Sequence, residues 1–195
     1  MNRTQKLEKM VHEIYDRKES TREEWADWLS ANHVFLVAKF ADELSIRLGV
    51  KNDLAIAAAM LHDIADSVMA RENPEHENKS KEIAREFLLM CGYSDEESKI
   101  VIDDAIEYHG CKNGNLPKTV EGKIMASADA RAHLQSSFYD FSLEMKTKDE
   151  PVEQVRSWAL AKIERDLNNK IFFDEIRDEI REDYQRAKEL ILNLK

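Results

Sequence analysis

The sequence predicts an all-α protein, a compact helical bundle followed by additional amphipathic helices at the C-terminal end. Two observations carry that prediction. Apolar residues recur at helical spacing along most of the 195 residues, and no segment alternates as a strand would. Only five Gly and three Pro punctuate the chain, few for a β-rich or loop-rich fold. There is no internal repeat and no low-complexity segment.

Each element follows in order. Leu7, Met10, Val11 and Ile14 form an i, i+3, i+4, i+7 stripe, which predicts an amphipathic helix over 3–18. Ser20 with Glu23 and Thr21 with Glu24 form overlapping capping boxes, so a helix is expected to start there with Trp25, Trp28 and Leu29 inward. Val34, Val37, Ala38, Ala41, Leu44 and Leu48 make the next stripe, stopped by Gly49. Asp53 is expected to cap the helix that carries "AIAAAMLHDIADSV", and "ENPEH" breaks the chain after it. Ile83, Phe87, Leu88 and Cys91 mark another helix ending at Gly92, and Ser94 with Glu97 opens one leading towards His109. "HGCKNGNLP" is a loop, and 119–136 reads as a helix. Beyond the polar connection "EMKTKDEPVEQ", Pro151 suits a first helical turn, and 151–193 reads as two long charged amphipathic helices. Those two either cover the core or form a homodimer contact. The organisation expected is therefore an N-terminal helix (1–19) packed on a core (20–140), with a charged helical extension (141–195).

The net charge of −10 argues against general affinity for nucleic acid or an anionic membrane surface. It leaves room for one phosphorylated small molecule, because a local metal or cationic pocket overrides the global field. The two cysteines, Cys91 and Cys111, make no metal-type pair and no disulfide framework. The first twenty residues lack the apolar core of a signal peptide, and no run suffices to span a bilayer; a cytoplasmic location is the expectation.

One contradiction stands out. His62, Asp63 and Asp66 sit in a run that is otherwise apolar or small, and burying such groups is costly unless something pairs with them. His33 lies one turn before Val37 on an inward face, and Asp129 follows Ala128 in the small-residue helix "KIMASADARAHL". Taken singly, an inward His usually bonds a backbone carbonyl, and an Asp near a helix end usually caps it. Taken together on three helices, a divalent cation is the common explanation, since neutral imidazoles and carboxylates are good ligands.

At these residues the sequence resembles the HD-domain superfamily of metal-dependent phosphohydrolases, whose pattern is a His, a His-Asp doublet and a distant Asp on a helical bundle. "AAAMLHDIAD" and "AIEYHGCKNGNLPKTVEGKIMASADARAHL" are similar to the family's segments around the doublet and the last Asp. The resemblance covers about residues 20–140. It implies metal ligation by His33, His62, Asp63 and Asp129, with Asp63 also orienting or deprotonating the attacking water. His76 and His109 fall where relatives hold a second metal or contact phosphate, and His109 joins Asp63 as an expected catalytic residue. The cofactor implied is one or two divalent transition ions, Mn, Fe, Zn, Ni or Co. The reaction implied is hydrolysis of a phosphate ester or anhydride of a small molecule such as a nucleotide. Two alternatives stand beside it: a di-iron oxygenase, since some HD proteins with a similar ligand order bind two irons, and a non-catalytic nucleotide-sensing HD module, against which the intact ligand series argues.

The chain departs from the family in three places. Leu36 stands where many relatives carry a basic residue, so a phosphate contact must come from elsewhere, with Lys79, Lys112, Lys123 and Arg131 as candidates. Ser127 replaces a second Asp before the Ala-Asp pair. Asp66 resembles one acidic residue of alarmone hydrolases, but Ser67 breaks the acidic pair, which speaks against guanosine tetraphosphate as substrate. His12 and His133 fall outside the pattern and are expected to be structural.

Overall fold

Local chemistry sets several helix ends. The computed structural model describes all residues, 1–195, and contains helices and turns without a strand. Helix α1 (Arg3–Asp16) starts at a capping box between Asn2 and Gln5 and buries Leu7, Val11 and Ile14. Helices α2 (Ala26–Leu29) and α3 (Phe35–Leu48) are joined by a π-helical turn, Ser30–Val34. Helix α4 is Asp53–Leu61, α5 is His76–Cys91, and α6 (Asp95–Lys99) runs through a π-helical stretch, Ile100–Ile106. Gly49 and Gly92 end α3 and α5 with φ of 65° and 81°, a conformation that costs glycine no Cβ clash.

Helix α7 (Val120–Gln135) begins where the Thr119 side chain accepts from the Gly122 N–H at 3.0 Å. Asp104 fixes the approach to it, accepting from the Lys118 and Thr119 backbone N–H groups at 2.8 and 2.9 Å. Helices α8 (Phe138–Lys146), α9 (Val152–Arg165), α10 (Asp174–Glu179) and α11 (Arg181–Leu192) follow.

Helix α3 packs along both α4 and α7, which also touch each other; α1 lies across α4 and α5. The interior is one apolar cluster. It takes in Val37, Leu61 and Met125 of the central helices together with Leu7 and Val11 of α1. Val155, Ala159, Ile163, Ile176, Ile180 and Ile191 from the C-terminal helices belong to it too. Alanines 55, 57, 58 and 59 are fully buried on α4, and these short side chains permit the close packing that brings polar tips of different helices together.

Four local expectations are corrected. No helix starts at Ser20 or Thr21: the Thr21 hydroxyl donates to the Val68 carbonyl at 2.6 Å, and α2 opens at Ala26 without a side-chain cap. Trp25 and Trp28 are consequently half-buried, Trp25 under the Arg71 guanidinium and Trp28 stacked on Phe141 at 4.2 Å. Asp53 is not a cap but the first residue of α4, paired with Arg3. The span 151–193 holds three helices, not two, because after a π-helical turn, Asp166–Lys170, the chain turns extended at Ile171 and Phe173. Ile171 is buried there, and the Phe172 N–H donates to the Ser127 hydroxyl at 3.0 Å, so tertiary contacts outweigh helix continuation.

Candidate metal centre and its cleft

Three side chains converge between α3, α4 and α7. His33 comes from the π-helical turn before α3, His62 from the end of α4, and Asp129 from the middle of α7. One ligand atom from each lies within 4.8 Å of the other two, and all three residues are buried. Asp129 Oδ1 is 3.1 Å from His33 Nε2 and 3.8 Å from His62 Nε2. His62 Nδ1 sits 2.8 Å from the Ala59 carbonyl, so that nitrogen carries the proton and Nε2 offers a lone pair.

The arrangement fits a cation. His62 Nε2 and Asp129 Oδ1, 3.8 Å apart, are both buried without a hydrogen-bond partner, an expensive state unless a positive charge joins them. Burial pushes the His33 imidazole below its ordinary pKa, which favours the neutral ring that a metal would need.

Asp63 lies to one side of this trio. Helix α4 ends at Leu61, and Asp63 leaves helical conformation (φ −124°), so its direction is set by the chain break and not by helix geometry. Its Oδ2 is 3.6 Å from His62 Nε2 and accepts from Arg71 Nη2 at 2.5 Å. Its Oδ1 is 4.0 Å from His109 Nε2. Burial opposes its ionisation, but Arg71, with His62 and His109, holds the carboxyl well below the ordinary range. His109 Nδ1 lies 2.6 Å from the Ile106 carbonyl, which again leaves Nε2 as an acceptor. Burial brings His109 down to about 4, so the ring is neutral near pH 7. His76 does not join the trio; its Nε2 bonds Asp66 at 2.8 Å.

Asp63, His62, His76, His109 and Arg71 line a cleft of about 550 Å³, a size suited to a small molecule. The four basic candidates named from the sequence fare differently. Lys112 lines the cleft beside Glu77, Lys79 bonds Glu82, and Arg131 bonds Glu43 across the Phe40 ring. Lys123 is half-buried on α7 and does not line the cleft. Arg71 was not among them, because nothing in "VMARENPEH" reveals that the loop folds back over Asp63 and Asp66.

On the opposite side of Asp129 is a dry network. Lys170 donates to Asp129 Oδ2, and His133 Nε2 lies 3.3 Å from Oδ1. Asp166 receives the Tyr139 hydroxyl at 2.8 Å and the Lys162 ammonium at 3.0 Å, while Lys162 also reaches His133 Nδ1 at 3.0 Å. Burial lowers His133 to about 3, so its ring is neutral; burial also works against Lys170, but Asp129 and Asp166 prevail and raise it. His133 thus packs against the candidate ligand Asp129 from within the buried network; its spacing four residues after Asp129 was the available signal. His12 is exposed and stacked on Phe35, away from the centre.

Comparison with known proteins agrees with this geometry. The family model of the HD domain matches residues 30–134, more than half of the chain. A protein of Clostridium beijerinckii described only as uncharacterized is 28% identical over 104 residues, which are 52% of this chain and 63% of the relative. The chain therefore spans less than two thirds of that relative. No solved structure matches.

Proposed function

The chain belongs to the HD-domain family of metal-dependent phosphohydrolases, and from that premise we propose that it hydrolyses a phosphate ester or anhydride of a small molecule such as a nucleotide. The observation that carries the reading is the buried trio of His33, His62 and Asp129, whose ligand atoms lie within 4.8 Å of one another beside an open cleft. These three would hold the ion, with Asp63 and His109 on the cleft side. A bound divalent ion lowers the pKa of water and stabilises charge on phosphoryl oxygens.

The protein's own groups do the rest. Asp63 is ionised and strongly stabilised as an anion, which makes it a weak base but a firm acceptor; it orients the attacking water more than it deprotonates it. His109 is neutral with Nδ1–H committed to Ile106, so its Nε2 accepts a proton or ligates, and does not donate to phosphate. This sharpens the expectation drawn from the resemblance, which allowed either role.

The test is elemental analysis of protein purified without chelator, alongside His62→Gln, followed by a phosphate-ester and anhydride screen. The expected result is one or two transition ions per chain in wild type, a loss in the variant with unchanged helical content, and turnover that needs the metal. Equal metal content in both proteins, or no turnover of any phosphate compound by the loaded wild type, would overturn the reading.

A further inference from the structure

We propose that Arg71 is the anion-binding arm of the cleft, receiving a phosphate oxygen of the substrate through Nη1; this rests on the phosphohydrolase reading above. Its guanidinium is already anchored. Nη2 donates to Asp63 Oδ2 at 2.5 Å and to Asp66 Oδ2, and Nε donates to Asp66 Oδ1 at 3.2 Å. Asp66 is itself buried and held by His76 Nε2 at 2.8 Å. The planar face lies over the Trp25 ring, 5.3 Å from its centroid. Nη1 alone has no protein partner, and with 38% of the side chain exposed it stands on the cleft wall.

A rigid, half-satisfied guanidinium is well suited to a planar oxyanion. The donors already used lock the rotamer, so binding a phosphate oxygen costs little ordering. The other cations of the cleft are placed less well: Lys81 is engaged by Glu107 at 2.7 Å, and Lys112 is far more exposed and faces Glu77 at 3.6 Å. Arg71 is also the cation that touches Asp63, next to the ligand nitrogen of His62.

Charge adds a condition. The cleft lining holds Asp63, Glu77 and Glu107 against Arg71, Lys81 and Lys112, and buried Asp66 tips the local balance negative. An anion is therefore accepted only once a divalent cation sits at the trio. The ligand class is a compound with an exposed, doubly charged phosphate, and phosphate binding follows metal binding.

The experiment uses the full chain with and without Mn²⁺, with inorganic phosphate as the calorimetric probe and p-nitrophenyl phosphate for turnover, in wild type, Arg71→Met and Arg71→Lys. Phosphate should bind wild type only in the presence of Mn²⁺. Arg71→Met should keep wild-type Mn²⁺ stoichiometry and weaken phosphate binding at least about tenfold, the cost of losing a charge-assisted contact. Its KM should rise by a similar factor with a smaller change in kcat. Arg71→Lys keeps the charge beside Asp63 and Asp66 and so decides the matter if the methionine variant unfolds; it should weaken phosphate binding by several-fold because the fork is lost. Unchanged phosphate affinity and KM in either folded variant, or no phosphate binding by Mn²⁺-loaded wild type, overturns the proposal. If wild type turns over substrate while the variants match it, this inference fails and the phosphohydrolase reading stands. If wild type binds no metal, the reading itself fails.

Discussion

Asp129 divides two regions built from the same residue types. On one side Asp63, Arg71, His76 and His109 border an open cleft, with Asp66 buried behind Arg71 and His76, and Arg71 Nη1 is left free. On the other, Lys170, Asp166, Lys162, His133 and Tyr139 form a buried network, in which Asp166 is fully buried and Lys170 and Tyr139 nearly so. Both sets consist of carboxylates, cations and imidazoles. What separates them is exposure. In the buried network each charge must be balanced by a fixed neighbour: Lys170 holds Asp129 Oδ2, and His133 flanks Oδ1, the oxygen that also faces His33 and His62. At the cleft, water and ligand compete for the same groups, so a donor can stay unused until substrate arrives.

The largest expected effect lies on the wet side. Asp63→Asn should lower kcat/KM by about 10²-fold or more, the loss expected when the attacking water is no longer held in line, while its thermal unfolding stays close to wild type. A fall in stability matching the fall in activity would erase the distinction between the two regions.

Lys170→Met probes the dry side and should reverse the pattern. Removing one partner of a buried pair leaves Asp129 and Asp166 under-compensated, at a cost of about 3–5 kcal/mol in chemical denaturation. Wild-type stability in that variant would show that water reaches Asp166 and that the network is not dry.

An ion pair outside both regions sets the lower end of the scale. Arg3 grips Glu97 with two bonds, at 2.6 and 2.8 Å, and ties α1 to α6. The bond from Arg3 brings Glu97 down to about 2 from its ordinary 4.5. The folded state therefore keeps Glu97 ionised where the unfolded chain protonates it. That stabilisation is fully present above pH 4.5 and drains away as pH falls towards 2. Glu97→Gln should cost less than about 1 kcal/mol near neutrality, as exposed pairs do, and should flatten stability across that acid window. A larger loss, or an unchanged acid profile, would mean that this pair is not screened as a surface pair should be.

Much of the fold was legible because it rests on local rules. The stripe of α1, the Ser94–Glu97 capping box and the glycine stops of α3 and α5 all depend on residues within a turn or two of each other. The Ser20 and Thr21 boxes failed for the opposite reason, since Val68, far along the chain, took the Thr21 hydroxyl. In the site, His33, His62 and Asp129 were readable as polar residues on apolar faces, and they do meet. Asp63 was readable as part of the doublet, but its partner Arg71 was not.

By itself, then, the sequence determined the all-α class, the central helices and the three residues that converge, because apolar periodicity dictates which face turns inward and marks any polar residue on it. Only the tertiary structure decided that Arg71 closes on Asp63 and that Lys170, Asp166 and His133 stand behind Asp129. Lys170 lies 41 positions from Asp129, and their contact depends on how α9 and the π-helical turn return across α7. Pairings of that kind are fixed by the packing of whole helices, where burial makes each charge seek whichever opposite charge the fold brings near.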